Sequence, residues 1–334
     1  MPKFFQLILN RKTGQHNVKT KDSVKMNAHQ KFFSKIGVNY LVLGLVAIIA
    51  QIILINIIAN TNPNALNDVN LVYILSTMCN YIIPLPIFYW LMKRIESRKI
   101  KKEKADIWTF ILYIGITMTL MWIGNLLGLA ITFLLGGAIQ NDITNPVQQL
   151  INSTNIWFNI VIVSIIAPIF EEFFFRKMLI DRTIKYGAKV SIILSALLFG
   201  LFHGNLNQFF YAFLMGGFFA YVYIKTGKII YPIILHAIVN FMGSVVSLVI
   251  SQSMMNLQQS ISTIDLTIIM AYLAVLLIFI VLGIIGLSRY RKAKFNGKKT
   301  EIELEYKYTT MFMNPGMICF VAFFIFEMIR QVVI

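Results

Sequence analysis

Apolar runs of about twenty residues, separated by short polar loops, recur along the whole chain, and no other feature constrains the fold as much. A run of that length is what a helix needs to cross the ~30 Å hydrocarbon layer of a bilayer. With 57% hydrophobic residues, 13% charged residues and a mean hydropathy of +0.72, a soluble globular domain is excluded. The runs predict spans near 36–59, 71–92, 107–135, from 156 through an internal acidic pair, 190–202, 209–224, 229–250 and 266–287. The expected fold is therefore all-α, a polytopic bundle of about eight transmembrane helices. A further apolar piece, 311–326, is interrupted by Asn314-Pro315-Gly316 and closed by Glu327 and Arg330. It reads as a ninth span, a re-entrant piece or an interfacial helix.

The net charge of +16 would suit nucleic acid, but its distribution argues against that partner. Lys and Arg fall in alternate loops, at 93–104, 176–189, 225–228 and 289–299, whereas 60–70, 136–155 and 251–263 hold none. That alternation is the positive-inside pattern. It predicts a multi-pass protein of the cell membrane with a cytoplasmic N-terminus. Residues 1–35 form a basic arm with few apolar residues, and the Phe4–Leu9 run is too short for a signal peptide. The chain divides into this arm, helices 1–3 over 36–155, a core of helices 4–7 over 156–250, and the remainder over 251–334. Cys79 and Cys319 both lie in apolar runs and read as small core residues.

Within the fourth span stands Glu171-Glu172-Phe173-Phe174-Phe175-Arg176. Ionisable groups at membrane depth cost about 2.5–3.5 kcal/mol on insertion scales, so they mark a functional site by default. Glu172 and Arg176, four apart with the acid first, share a helix face and neutralise one another. Glu171 points about 100° away and has only Phe175 at i+4, which leaves it the free acid. Pro168 is expected to kink the helix beside the pair. Two histidines join them, in Phe199-Gly200-Leu201-Phe202-His203 and in His236-Ala237-Ile238-Val239-Asn240. His16 and His29 read as solvated members of the basic arm. A turn near Gly187, sixteen residues from both Glu171 and His203, would bring those two to one depth, about 24 Å along each helix. His236 and Asn240 lie only about 12 and 18 Å from Lys228 by the same rise, so tilt or a kink must close the gap.

Adjacent glutamates with an arginine four later, then Phe-x-x-x-His, then His-x-x-x-Asn, in this order on successive spans, resemble the CAAX-protease and bacteriocin-processing (Abi-type) intramembrane proteases. The resemblance covers about 156–246 and implies an endopeptidase acting on a membrane-associated peptide or protein. It implies Glu171 as the base that activates water with His203 assisting, Glu172 and Arg176 in support, and His236 with Asn240 at the oxyanion. Glu171, His203 and His236 would also suit zinc with an open position, and the residues leave that and a metal-free glutamate mechanism both open. Buried Glu/His chains also serve proton-coupled transporters. A non-catalytic scaffold or immunity protein of the same fold is the third reading.

Overall fold

The computed structural model describes residues 26–139, 145–290 and 300–333. Most of the basic arm with His16, the segment 140–144, and Arg291, Lys292, Lys294, Lys298 and Lys299 lie outside the described residues. All regular structure among the described residues is helical. In chain order the helices are α1 (Ala28–Thr61), α2 (Val69–Lys93), α3 (Ile107–Ile139), α4 (Pro146–Ser153), α5 (Ile156–Tyr186) and α6 (Ala188–Phe202). They are followed by α7 (Leu206–Thr226), α8 (Ile230–Gln259), α9 (Thr263–Tyr290), α10 (Lys307–Phe312) and α11 (Pro315–Val333).

Among the described residues, eight helices are long and apolar enough to cross a membrane, the number expected but not the same set. The expected fifth span is α6, whose 15 residues rise only about 22 Å, short of the hydrocarbon layer. Its place in the count is taken by α11, so the tail is a full-length helix rather than a re-entrant piece. Large apolar side chains such as Leu273, Leu277, Val281 and Ile284 of α9 are exposed, which is the surface a lipid-facing helix presents.

The helices α6, α7, α3 and α9 pack side by side in that order, while α11 lies along α1. Lipid tails are as apolar as leucine, so helix pairs in a bilayer are held by close backbone approach and by interhelical hydrogen bonds. At the α1–α11 crossing a Cβ on Gly37 would stand 2.5 Å from the Gly316 carbonyl carbon, and Gly316 N–H donates to Ser34 Oγ at 2.9 Å. Tyr40 Oη donates to the Phe174 carbonyl at 2.6 Å, tying α1 to α5. Arg182 Nε donates to the Met92 carbonyl at 2.7 Å, tying α2 to α5. One apolar core gathers Phe33, Tyr40, Phe88, Phe174, Phe199 and Phe320 from α1, α2, α5, α6 and α11.

The turn expected near Gly187 is present, at a φ of 99° that favours glycine, and it reverses the chain from α5 into α6. Two further expectations are corrected. His29 is half-buried and hydrogen-bonds Tyr186 Oη at 3.1 Å, because α1 begins beside the end of α5. Cys79 is buried, but Cys319 is exposed on α11.

Candidate active site

The acidic motif sits in a helix with an uneven winding. Residues Asn159–Ile166 and Phe173–Met178 of α5 are π-helical, and Ala167–Glu172 between them is α-helical with Pro168 in its first turn. Proline lacks the N–H that the preceding turn would use. π turns close i→i+5 hydrogen bonds and rotate the side chains that follow. The i,i+4 pairing survives: Arg176 donates from Nη2 to Glu172 Oε1 at 2.9 Å. Arg176 Nε also lies 2.7 Å from Glu172 Oε2, an ion-pair contact with an angle too poor for a hydrogen bond. Both residues are 0% exposed. The guanidinium also donates to Ser195 Oγ at 3.1 Å and lies 4.5 Å from the centre of the Phe199 ring. Further hydrogen bonds of this kind offset part of the cost of burying an ion pair.

His236, buried on α8, joins the two acids. Its Nδ1 donates to Glu172 Oε1 at 2.9 Å, and its Nε2 stands 3.7 Å from Glu171 Oε2. The latter separation is an electrostatic contact rather than a hydrogen bond. The depth difference reckoned from sequence does not keep the groups apart: His236 reaches both acids.

His203 is reached differently. Helix α6 stops because Gly204 adopts a φ of 62° and Asn205 caps α7, its Oδ1 accepting from the Gln208 N–H at 2.8 Å. The helix therefore ends inside the bundle and leaves His203 at its tip. A carbonyl can only accept, so His203 Nδ1 carries its proton and donates it to Phe199 O at 2.8 Å, leaving Nε2 uncommitted. Asn240 donates from Nδ2 to the Val163 carbonyl at 2.8 Å, fastening α8 to the first π segment of α5.

Glu171, His203, His236 and Asn240 line one cavity of about 530 Å3, with Glu172 and Arg176 behind its wall. All six candidate residues thus fall in one neighbourhood, four at the surface of the cavity and two buried behind it. Sequence reasoning missed a seventh. Tyr81 of α2 donates to Glu171 Oε1 at 2.5 Å while its ring stacks on Phe170 at 5.3 Å. Asp181 also lies inside α5, buried, accepting from Tyr223 Oη at 2.7 Å and paired with Lys177 at 2.6 Å.

The residues that would hold a metal are Glu171, His203 and His236. Among the described residues no three His, Cys, Asp or Glu side chains are grouped so as to hold an ion. In this arrangement the donor set does not fit a zinc centre.

Residues 153–242 match the family model described as type II CAAX prenyl endopeptidase Rce1-like, which bears out the resemblance carried by the three motifs. The chain is also similar to a Bacillus subtilis (strain 168) protein named "Putative membrane peptidase YdiL", 28% identical over 109 residues. That alignment covers 32% of this chain and 44% of the relative's own length. No solved structure matches the chain.

Proposed function

From the Rce1-like match across 153–242, we propose that this multi-pass membrane protein is an intramembrane endopeptidase. Its substrate is a membrane-associated peptide or protein precursor, hydrolysed at one peptide bond. The observation that carries the reading is the meeting of Glu171, His203, His236 and Asn240, from α5, the end of α6 and α8, at the wall of a single cavity.

In this reading Glu171 is the general base. Tyr81 holds one carboxylate oxygen, and the other faces the cavity and takes a proton from water as the water oxygen attacks the scissile carbonyl carbon. The second amide N–H of Asn240 faces the oxygen that becomes negative, which is where fixed donors lower a barrier most; His236, its Nδ1 proton held by Glu172, joins it as a donor when Nε2 is protonated as well. The C–N bond breaks as the proton is passed to the leaving nitrogen, and His203 Nε2 is the second proton-carrying atom on that path. Glu172 and Arg176 touch no reacting atom; they hold His236 by its Nδ1 proton and fix its tautomer. The protein acts in the cell membrane with its N-terminus in the cytoplasm, as the distribution of Lys and Arg supports.

The test compares cells carrying wild type or Glu171→Gln by mass spectrometry of released peptides. Loss of a general base costs about 10²–10⁴-fold in rate, so at least one product should vanish in the variant. Identical profiles at equal protein level would sink the proposal.

A further inference from the structure

Contacts alone distinguish two faces of the molecule. On one face Arg98 N–H donates to the Asp181 carbonyl at 2.5 Å, and Arg98 Nε to Glu301 at 3.0 Å. On the same face Glu301 N–H reaches the Lys185 carbonyl at 3.0 Å, and Glu103 N–H the Thr226 carbonyl at 2.7 Å. These contacts gather Lys93, Arg94, Lys101, Lys102, Lys104, Lys225 and Lys228 onto one side. On the other face Asn155 N–H donates to Asn70 Oδ1 at 3.0 Å, Tyr73 packs on Phe158, and Asn256 donates to Asp265 at 3.2 Å. The segments 60–70, 145–156 and 251–265 contain no Lys or Arg. Among the described residues Arg330, in the last turn of α11, is a basic residue that does not join the first face, and it is paired with Glu327 at 2.8 Å.

The cavity extends from Glu171 towards the second face. Its lining takes in Phe158 in the first turns of α5, Tyr73 near the start of α2, and Asn145 and Gln148 at α4. None of it comes from 93–106, 176–189 or 225–231, the segments of the basic face. Between mouth and Glu171 the polar wall is uncharged, with the carboxamides of Gln51, Asn80, Asn125, Asn145, Gln148 and Gln208 beside hydroxyls such as those of Ser76 and Thr77. No Lys, Arg or Asp lines it. Asn125 stands in the middle of α3, and its carboxamide is bonded to no described residue. Half-buried, the amide is open to the cavity, and its paired donor and acceptor are what a peptide group can answer.

We infer that the cavity opens on the face opposite the basic loops, so that substrate enters from the non-cytoplasmic side, as an uncharged, extended peptide segment. The sidedness stands on the placement of Lys and Arg; the peptide rests on the endopeptidase reading.

Single cysteines test both parts in the full chain with Cys79 and Cys319 replaced by serine. Gln148→Cys probes the mouth and Lys102→Cys the basic face, with a membrane-impermeant maleimide applied to intact cells. Labelling of both after solubilisation in SDS verifies that each variant is present. The expected result is that Gln148→Cys labels in intact cells and Lys102→Cys only once the membrane is opened; the reverse, or equal labelling, overturns the sidedness. Product release by an Asn152→Cys variant, exposed one turn along α4 and outside the lining, should stop once a bulky maleimide on it covers the mouth. Unchanged release would overturn the entry route and leave hydrolysis standing. Inertness of the unmodified wild type towards every precursor would instead defeat the peptide part and leave the labelling result intact.

Discussion

Tyr81 and Glu171 come from different helices, and the one hydrogen bond between them sets which oxygen of the carboxylate is left for water. Tyr81→Phe keeps the ring on Phe170 and removes only the donor. As a positioning residue it should lower kcat by roughly tenfold with KM unchanged, since the interaction lost is one that orients the base rather than one that binds substrate. Steady-state kinetics on a cleaved peptide would decide it, and an unchanged kcat would remove Tyr81 from the account. Behind the wall, Glu172→Gln leaves the Arg176 charge buried without its counter-charge, and Arg176→Met does the converse. Each should cost about 3–5 kcal/mol of stability, whereas the double variant should cost less than the sum. Thermal unfolding in detergent measures all three, and simple additivity would show that the pair is not coupled. The acids, the arginine and both histidines were legible in the sequence, because charge in an apolar run has few innocent explanations. Tyr81 was not legible, since a tyrosine in a membrane span also serves ordinary packing and interfacial anchoring. Asn125 was equally hidden, since one amide in an apolar run names no partner.

Helix α5 carries most of what sequence periodicity could not foresee. An i,i+4 argument placed Arg176 beside Glu172 correctly, but nothing in Asn159–Ile166 or Phe173–Met178 announces π turns, which arise where neighbouring helices take up displaced carbonyls. Asn240 does this for Val163. The length of α6 was legible as a short run ending at His203-Gly204-Asn205, and its meaning became visible only when α7 started at the same depth. The tail shows the opposite case. Asn314-Pro315-Gly316 looked like an interruption, and it is the start of a helix: Asn314 accepts from the Met317 N–H at 3.1 Å, and the proline stands in the first turn. Gly316→Val would drive a side chain into the Ser34 carbonyl, and the backbone shift it forces should cost about 1–3 kcal/mol. A lowered melting temperature with α11 more open to protease is the expected reading; an unchanged one would mean that α1 and α11 separate freely.

At the scale of the whole molecule, the diagnostic motifs occupy 156–246, yet the cavity takes its walls from α1, α2, α3 and α4 as well. The apolar core running from Phe33 to Phe320 binds α1 and α2 to α5, α6 and α11, and a second core joins α3 to α7 and α8. A chain cut to 156–250 should therefore release no product even where it inserts and accumulates, as assayed by the peptide comparison used for Glu171→Gln. Activity in that fragment would show that the first three spans are dispensable. The eight-span bundle and its charge asymmetry could be read from the sequence because each follows from local composition. The shape of the cavity could not, because it depends on which faces of distant helices meet. The spacing of Glu172 and Arg176 also bears on how the chain is made. A lone charge costs about 2.5–3.5 kcal/mol to leave at the centre of a nascent span. Because its arginine rides one turn away on the same segment, α5 brings its own counter-ion out of the translocation channel. Of the two adjacent acids, Glu171 is the one that arrives unaccompanied, and the hydroxyl that receives it belongs to α2, a helix synthesised earlier.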